Sequence, residues 1–365
     1  MAPDRTKLNG DLTIKKACLY LATAVLIYHI LFFQSEDPVT STSFSNHERL
    51  DFSVGQIRGA AMMLVSKPWT IQRGERQCFF NRSMDALSSH WLPRNPYPVI
   101  LQHPDGWTVE EMRDIRQQWP QFKFYFSNIG NAFHIDPPKN MEDQDQPLSP
   151  LGYKKMCAYK TFGFLNAPFI ATQELDYIFY LDDDSCLTEP IHYNVFEKMQ
   201  QHKIAYAYKQ LFLDRDHVVR GLVEFVENYR KSHKSLPYAN PSLAKWLEEH
   251  EFLTKDGGGG SHWTFATNLE WLDLKQYRQS DTVAFLNAIA DSGMIFHRRW
   301  GDAPLRFVLA YLFLNNRQVM KICSSYVHSM WNPSPSTCSD QHQTPDIEDA
   351  VLRQLQGCFP KSTCN

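Results

Sequence analysis

The chain has 365 residues, of which 43% are hydrophobic and 21% charged, and its 37 basic and 40 acidic side chains leave a net charge of −3. This balance is typical of a globular protein and excludes wholesale disorder, collagen and coiled coil. A near-neutral charge provides no basic surface for nucleic acid, so no nucleic-acid partner is predicted. The length allows one large α/β domain, or two smaller ones, to bury a core without help from disulfides or metals.

The N-terminal segment predicts a membrane anchor. Residues 17–33 contain no Asp, Glu, Lys or Arg, and their number is about the minimum for crossing a bilayer. Basic residues precede this run and acidic residues follow it: Arg5, Lys7, Lys15 and Lys16, then Glu36 and Asp37. The positive-inside rule therefore predicts a cytosolic tail at residues 1–16 and a lumenal remainder, which is type II topology. A cleaved signal peptide and a buried core helix are the alternatives.

The rest of the chain divides into a polar, Ser/Thr-rich stem at residues 34–56 and a lumenal domain at residues 57–365. Five short apolar runs predict strands: Ala60–Val65, Pro98–Gln102, Phe122–Phe126, Tyr177–Leu181 and Ile204–Tyr208. Helices are predicted around Met84–Trp91, from a capping box at Thr108 to Trp119, and around Tyr153–Leu165, His217–Arg230, Pro241–His250 and Leu305–Leu314. Loops are predicted at Asn131–Ser149 and Gly257–Gly260. Strands that alternate with helices favour an α/β fold with a parallel sheet.

Cysteine usage agrees with an oxidising compartment, because seven of the eight cysteines follow the apolar run. None has the spacing of a zinc site, and an odd number leaves one thiol free or paired with another chain. Disulfide bonds among the others are expected, without a predicted pairing. Asn81 begins the one usable glycosylation sequon, Asn-Arg-Ser.

Three consecutive carboxylates follow a very apolar predicted strand. Asp182, Asp183 and Asp184 come directly after Tyr177–Leu181, and the carboxyl ends of strands are where α/β sheets bind ligands. Such oxygen donors suit Mg²⁺ or Mn²⁺ bridging a diphosphate, with the metal neutralising charge on the leaving group. A solvated acidic turn is the alternative.

Two further segments carry candidate residues. Arg299, Trp300 and Asp302 precede an apolar helix, and Asp302 can cap that helix after a tight turn at Gly301. These three side chains are candidates for donor binding; the alternative is an Arg299–Asp302 ion pair that holds the fold, with Trp300 in the core. Glu270 ends the segment Trp263–Glu270, where a carboxylate near a sugar can act as nucleophile or stabilise an oxocarbenium-like centre. The alternative for Glu270 is an exposed residue at the end of a strand.

Several motifs between Ile57 and Cys338 resemble glycosyltransferase family 15, the fungal-type Golgi α-1,2-mannosyltransferases. In chain order they are Tyr153-Lys154-Lys155-Met156-Cys157, the acidic end of the Tyr177–Leu181 strand, Thr267-Asn268-Leu269-Glu270, Arg299-Trp300-Gly301-Asp302-Ala303-Pro304, and Tyr326 with His328 before Pro333 and Cys338. The Arg-Trp-Gly-Asp-Ala-Pro string with its upstream Gly-x-x-Phe is highly specific.

The resemblance implies a GT-A-like fold, with a mostly parallel central sheet flanked by helices behind the N-terminal transmembrane helix. It also implies a Golgi membrane enzyme that transfers mannose from GDP-mannose to a hydroxyl of a mannose-containing glycan, with Mn²⁺ and with retention of configuration. Residue by residue, Asp182 and Asp184 take the metal and donor position, and His328 that of a further metal ligand. Glu270 takes the place of the family's proposed nucleophile and Tyr153 that of a tyrosine lining the donor site.

The chain departs from the family pattern at two places. Asp182-Asp183-Asp184-Ser185 stands where the family has Glu-Pro-Asp-Val, which leaves open whether Asp183 replaces one metal contact, and the surroundings of His328 are less rich in proline. Alternatives are a retaining transferase for another nucleotide sugar, such as UDP-galactose or UDP-glucose, and a non-catalytic lumenal glycan-binding protein with Ca²⁺ at the acidic run. A metal-dependent phosphohydrolase is the third alternative. Among retaining routes, both a covalent intermediate on Glu270 and front-face attack are open.

Overall fold

The computed structural model describes residues 49–53, 55–65, 75–137, 150–214, 218–233, 262–322 and 324–328. The chain divides into Met1–Arg49 and Leu50–Asn365, and the fold below belongs to the second unit. The predicted anchor at residues 17–33, most of the stem, the predicted helix Pro241–His250 and the loop Gly257–Gly260 lie outside the described residues. The helices of the described ranges include none with the length and apolar character needed to cross a bilayer.

Eleven strands are present in the described residues. In chain order they are β1 Gly59–Leu64, β2 Val99–His103, β3 Phe124–Asn128, β4 Tyr177–Asp182, β5 Ser185–Leu187, β6 Tyr206–Tyr208, β7 Leu211–Asp214, β8 His262–Phe265, β9 Leu269–Asp273, β10 Val319–Lys321 and β11 Tyr326–His328. Seven of them form one sheet in the order β10-β6-β9-β4-β1-β2-β3, and β5–β11 and β7–β8 form two small two-stranded sheets. Each of the five predicted strands is confirmed, with boundaries shifted by one or two residues.

The helices lie between these strands. They are α1 Glu75–Ala86, continued by a π-helical turn at Leu87–Trp91, α2 Val109–Gln118, α3 Gly130–Phe133, α4 Leu151–Thr161, α5 Pro168–Ala171, α6 Val195–His202, α7 Leu222–Ser232, α8 Leu274–Tyr277, α9 Ser280–Ser292, α10 Met294–Arg298 and α11 Asp302–Phe313. Single 3-10 turns occur at Gly163–Asn166 and Asn316–Gln318. The predicted capping box of α2 is confirmed: the Glu111 amide donates to the Thr108 hydroxyl, and the Thr108 amide donates to the Glu111 carboxylate.

The sheet is parallel across β3-β2-β1-β4, as predicted, but β9 runs antiparallel between β4 and β6. The segment Trp263–Glu270, for which no secondary structure was predicted from sequence, contains the end of β8 and the start of β9, with two residues in turn conformation, Thr267 and Asn268, between them. Strand β9 therefore begins at the sheet edge where β4 ends. The antiparallel pairing of β9 with β4 places Glu270 opposite Tyr180, inside the sheet, rather than at an exposed strand end.

Both faces of the sheet are covered, which explains why its strands are apolar without alternation. One face contributes Ile178 and Tyr180 to a core with α4 and α11, and the other contributes Phe179 and Leu181 to a second core. In that second core, the Phe179 ring stacks on Trp271 with a centroid distance of 4.5 Å. Asp182 is the first residue of β4 beyond this apolar stretch and lies at the carboxyl edge of the sheet.

Candidate functional site

The acidic turn after β4 is brought next to β11. Strand β5 starts immediately after Asp184 and pairs antiparallel with β11, so that Ser185 lies opposite His328. Nδ1 of His328 is 3.1 Å from Oδ1 of Asp184 and 3.0 Å from Oγ of Ser185. Asp182, Asp184 and His328 each offer one ligand atom, and these atoms all lie within 4.8 Å of one another. The three residues that the family resemblance implies as metal ligands therefore lie in one cluster.

Asp183 is outside this cluster. Its backbone carbonyl accepts a hydrogen bond from Oγ of Ser83 on α1, at 3.0 Å, and the residue is only 6% exposed. The turn is thus fastened to α1 through Asp183, while the carboxylates on either side of it approach His328. In the described part of the chain, the group of possible metal ligands contains Asp182 and Asp184 and not Asp183.

The cluster suits a divalent transition metal. Carboxylate oxygens with one imidazole nitrogen are a ligand set that Mn²⁺ accepts, whereas Ca²⁺ takes oxygen ligands. The Asp182 side chain is 27% exposed, so the cluster opens to solvent. Burial alone would lower the pKa of His328, but the hydrogen bond and charge of Asp184, with the charge of Asp182, outweigh burial and raise this pKa.

A buried lysine connects the cluster to α11. Nζ of Lys160, on α4, is 2.9 Å from Oδ1 of Asp182, 3.3 Å from Oδ2 of Asp302 and 2.9 Å from the carbonyl oxygen of Thr267. The Lys160 side chain is only 3% exposed. Burial would lower the pKa of Lys160, yet the carboxylates of Asp182, Asp302 and Glu270 more than compensate and raise it, so the ammonium stays charged.

Asp302 has a different role from the predicted helix cap. Gly301 is the N-cap of α11 and Asp302 the first helical residue; its carboxylate accepts from Lys160 and, at 2.7 Å, from Oγ1 of Thr267. These contacts and the nearby cations lower the pKa of Asp302 against the opposing effect of burial. The tight turn is also two residues earlier than predicted, because Arg299 has the left-handed φ of 60° whereas Gly301 has φ −78°.

Arg299 and Tyr153 meet at the edge of the same region. The Arg299 guanidinium carbon lies 5.0 Å from the centroid of the Tyr153 ring, in cation–π geometry. Both side chains are partly exposed, which keeps them available to a donor. Burial, with the charge of Asp302, raises the pKa of Tyr153, so its hydroxyl stays protonated.

Trp300 lies in the core. The residue is 0% exposed, its indole nitrogen donates to the carbonyl oxygen of Arg220 at 2.9 Å, and its ring packs edge-on against Phe225. This placement agrees with the alternative stated above, that Trp300 is a core residue. In this arrangement it offers no surface to a donor, so its donor-binding role stays a prediction without structural support.

Glu270 is fully buried beneath the cluster. Its Oε2 accepts from Nε of Arg306 and from the Tyr206 hydroxyl, both at 3.0 Å, and its Oε1 accepts from Nη2 of Arg306 at 3.0 Å. Burial raises the pKa of Glu270, and the Arg306 guanidinium opposes that rise. Both carboxylate oxygens are therefore occupied by protein donors, and the nucleophilic role of Glu270 stays a prediction.

Two buried cationic side chains near the cluster, Lys160 and Arg306, were not identified from sequence. Each had a signal: Arg306 is the one charged residue in the apolar run Leu305–Leu314, and Lys160 falls on the helix face of Tyr153 and Cys157. A long charged side chain on an apolar helix face normally extends to solvent. The carboxylates that pair with Lys160 lie on β4 and α11, and the one that pairs with Arg306 lies on β9. Local sequence does not place them.

Two modification predictions fall partly on described residues. Cys157 is a buried free thiol, and Cys186 is buried 3.9 Å from the Ser83 hydroxyl. The side chains of the other cysteines after the apolar run lie outside the described residues, so disulfide bonding stays a prediction. Asn81 lies within α1 and is partly exposed, and its glycosylation likewise stays a prediction.

Comparison with curated proteins identifies relatives of this chain. It is 22% identical over 275 residues to probable mannosyltransferase KTR4 of Saccharomyces cerevisiae, covering 71% of this chain and 59% of that protein. It is 25% identical over 170 residues to alpha-1,2 mannosyltransferase KTR1 of the same yeast, covering 46% of this chain and 41% of that protein. The chain thus spans about half the length of the curated relatives it matches.

Solved structures show the same fold. The mannosyltransferase Ktr4p from S. cerevisiae superimposes with a TM-score of 0.64 at 20% identity, covering 75% of this chain and 71% of that one. Core-mannan synthase A from Aspergillus fumigatus, in an Mn/GDP form, gives 0.61 at 19% identity and covers 81% of each chain. The sequence profile described as Glycolipid 2-alpha-mannosyltransferase matches residues 132–343, which is more than half of the chain. The chain therefore belongs to the glycolipid 2-alpha-mannosyltransferase family.

Proposed function

We propose that this protein is a metal-dependent retaining glycosyltransferase that moves mannose from GDP-mannose to a hydroxyl of a mannose-containing glycan in α-1,2 linkage. The observation that carries the proposal is the cluster of Asp182, Asp184 and His328 at the carboxyl end of β4. Membership of the mannosyltransferase family and the Mn/GDP form of the structurally similar core-mannan synthase A support the donor and the metal.

Different residues of the site would bind the metal, contact the donor and position the metal ligands. Asp182, Asp184 and His328 would hold Mn²⁺, which as a Lewis acid supplies charge neutralisation for a departing diphosphate. Tyr153 and Arg299 present a partly exposed aromatic and cationic surface to the donor. Lys160 fixes Asp182, and Asp302 with Thr267 fixes Lys160. The acceptor oxygen forms a bond to the anomeric carbon of mannose while the bond from that carbon to the diphosphate breaks. GDP leaves with the electron pair and accepts the hydroxyl proton on its phosphate, and attack on the face that GDP leaves retains the configuration.

The contacts of Glu270 support the front-face route over a covalent intermediate. A nucleophile must reach the anomeric carbon, and a carboxylate that accepts three hydrogen bonds from Arg306 and Tyr206 at 0% exposure is held away from substrate. Attack assisted by the leaving phosphate requires no protein nucleophile.

We further propose the setting of the enzyme: a single-pass type II protein of the Golgi membrane with its catalytic domain in the lumen. Support comes from the apolar run at residues 17–33 with basic residues before it and acidic residues after it. The seven cysteines beyond the run agree with a lumenal domain. Reporter fusions at either end of the chain, tested for protease protection in microsomes, check this topology.

The experiment that tests the function measures nucleoside diphosphate release by the full chain in detergent. The donors are GDP-mannose, UDP-galactose and UDP-glucose, each with Mn²⁺ or EDTA, and methyl α-mannoside is the acceptor. We expect Mn²⁺-dependent GDP release that increases with acceptor. Turnover of a UDP-sugar instead would replace the donor assignment, and a folded protein that turns over no donor would favour the glycan-binding alternative. The imidazole of His328 among the ligands already disfavours the Ca²⁺ form of that alternative.

Proton release on metal binding tests the role of His328. The hydrogen bond and charge of Asp184 outweigh burial and raise the pKa of His328, so the metal-free site holds a proton on this imidazole to higher pH than a free histidine does. A metal ligand must be neutral imidazole, so Mn²⁺ binding should release up to about one proton, and affinity should fall roughly tenfold for each pH unit below the raised pKa. Calorimetry in two buffers of different ionisation enthalpy measures the release. Release that is unchanged in His328→Gln would exclude His328 as the source.

A further inference from the structure

The ammonium of Lys160 lies where a cation would be expected to bind. Its three oxygen neighbours are one carboxylate oxygen each from Asp182 and Asp302 and the carbonyl oxygen of Thr267, at 2.9, 3.3 and 2.9 Å. Two carboxylates and a carbonyl are the hard oxygen ligands that bind divalent cations in proteins. Only 3% of the Lys160 side chain is exposed, so its ammonium occupies this position and does not extend past it to solvent.

We infer that Lys160 is a positioning residue that occupies a second cation position and so confines the divalent metal to the side of Asp182 that faces Asp184 and His328. The inference deepens the proposed function and rests on its metal site. In this role, the Lys160 ammonium binds one carboxylate oxygen of Asp182 and leaves the other oxygen for the metal.

Electrostatics requires a cation in this gap. The carboxylates of Asp182 and Asp302 each have an oxygen within 3.3 Å of the Lys160 nitrogen, so the two carboxylates lie close to each other. Two negative charges at so short a distance in a buried region repel each other strongly unless a cation lies between them. A lysine supplies that charge permanently, whereas a soluble ion would do so only at sufficient concentration. With the lysine present, the gap is closed to metal, and Asp182 can bind metal only from the other side.

The backbone of Lys160 is also fixed. Residue 160 lies in the last turn of α4, where carbonyl groups have no partner within the helix, and Nη2 of Arg306 donates to the Lys160 carbonyl at 2.8 Å. An ammonium has three donors, and the three acceptors use all of them. Lys160 therefore acts through Asp182 and not by touching substrate.

The test counts Mn²⁺ ions bound by the full chain, by electron paramagnetic resonance of free Mn²⁺ and by calorimetry, without any donor. We expect one ion in the native protein and two in Lys160→Ala, because the shorter side chain opens the three-oxygen position. Lys154→Ala is the matched control: Lys154 is also buried on α4, its ammonium donates to the Phe296 carbonyl at 2.7 Å, and we expect one ion. The double variant Lys160→Ala/Asp302→Asn removes one carboxylate of the position and should return to one ion.

Other outcomes overturn the inference. One ion in Lys160→Ala, or two in the double variant, would show that the position vacated by lysine does not take metal. If Lys160→Ala is insoluble, Mn²⁺ in the refolding buffer should restore it, and failure of Mn²⁺ to do so would also contradict the inference. Absence of Mn²⁺ binding by the native chain would instead count against the proposed function, so the two failures are distinguishable.

Discussion

Replacing Asp184 by Asn is expected to reduce Mn²⁺-dependent turnover of GDP-mannose by more than about 100-fold. Changes to residues that merely support metal ligands cost up to about 100-fold, and Asp184 is proposed as a ligand itself. The substitution removes a charged oxygen ligand and the carboxylate that contacts Nδ1 of His328 at 3.1 Å. Initial rates measured across a Mn²⁺ titration check the result, and an increase in the Mn²⁺ concentration needed for half-maximal rate should accompany the loss.

Asp114→Asn is the matched control for this substitution. Asp114 lies on α2, its side chain is 70% exposed, and its ion-pair partner is the neighbouring Arg113, so we expect unchanged turnover. Asp184 is preferable to Asp182 for the test, because Asp182 also pairs with Lys160 and its loss would disturb the core. Turnover of Asp184→Asn within a few-fold of the native rate, at unchanged Mn²⁺ dependence, would remove Asp184 from the metal site.

Much of the fold follows from local sequence. The apolar run Tyr177–Leu181 is buried on both faces, and an uninterrupted apolar strand of this kind predicts a central position in a covered sheet. The antiparallel direction of β9 in an otherwise parallel part of the sheet was not predicted, and the reason is physical. Nothing in the segment Trp263–Glu270 indicates strand direction, and only the pairing of β9 with β4 and β6 shows that β9 runs antiparallel to them. Strand direction depends on these partners, which lie far away in sequence.

The metal-ligand cluster could be predicted from sequence in part, but the buried ion pairs next to it could not. The three carboxylates follow an apolar strand, so their chemistry is visible in sequence, whereas His328 was assigned only through family resemblance. The approach of His328 to Asp184 depends on the pairing of β11 with β5. Strands of three residues are too short for this pairing to be predicted from sequence. The buried network beneath the cluster was not predicted at all, because Lys160 and Arg306 gain their partners only when α4 and α11 pack on the sheet.

The Arg306–Glu270 pair should dominate the stability of this network. Arg306→Met leaves the Glu270 carboxylate buried without its charged partner, and breaking a buried pair in this way costs about 3–5 kcal/mol of unfolding free energy. Urea unfolding measures the loss. The surface pair Arg58–Asp176, with side chains 46% and 42% exposed, is the control, and Arg58→Met should cost no more than about 1 kcal/mol. A loss for Arg306→Met as small as that of the control would mean that the pair contributes little.

The double variant Glu270→Gln/Arg306→Met separates stability from chemistry. The double variant removes both charges, and the introduced glutamine still offers an oxygen to the Tyr206 hydroxyl. Most of the unfolding free energy lost in Arg306→Met should therefore return. The remaining loss should be about 1 kcal/mol, for the hydrogen bond that Arg306 donates to the Lys160 carbonyl. On the front-face route, the double variant should then regain turnover lost through misfolding, because the carboxylate of Glu270 takes no part in the reaction. On the covalent route, a folded double variant would be inactive, since an amide cannot form the glycosyl-enzyme. Restored folding without restored turnover would therefore assign Glu270 the nucleophilic role that its present contacts disfavour.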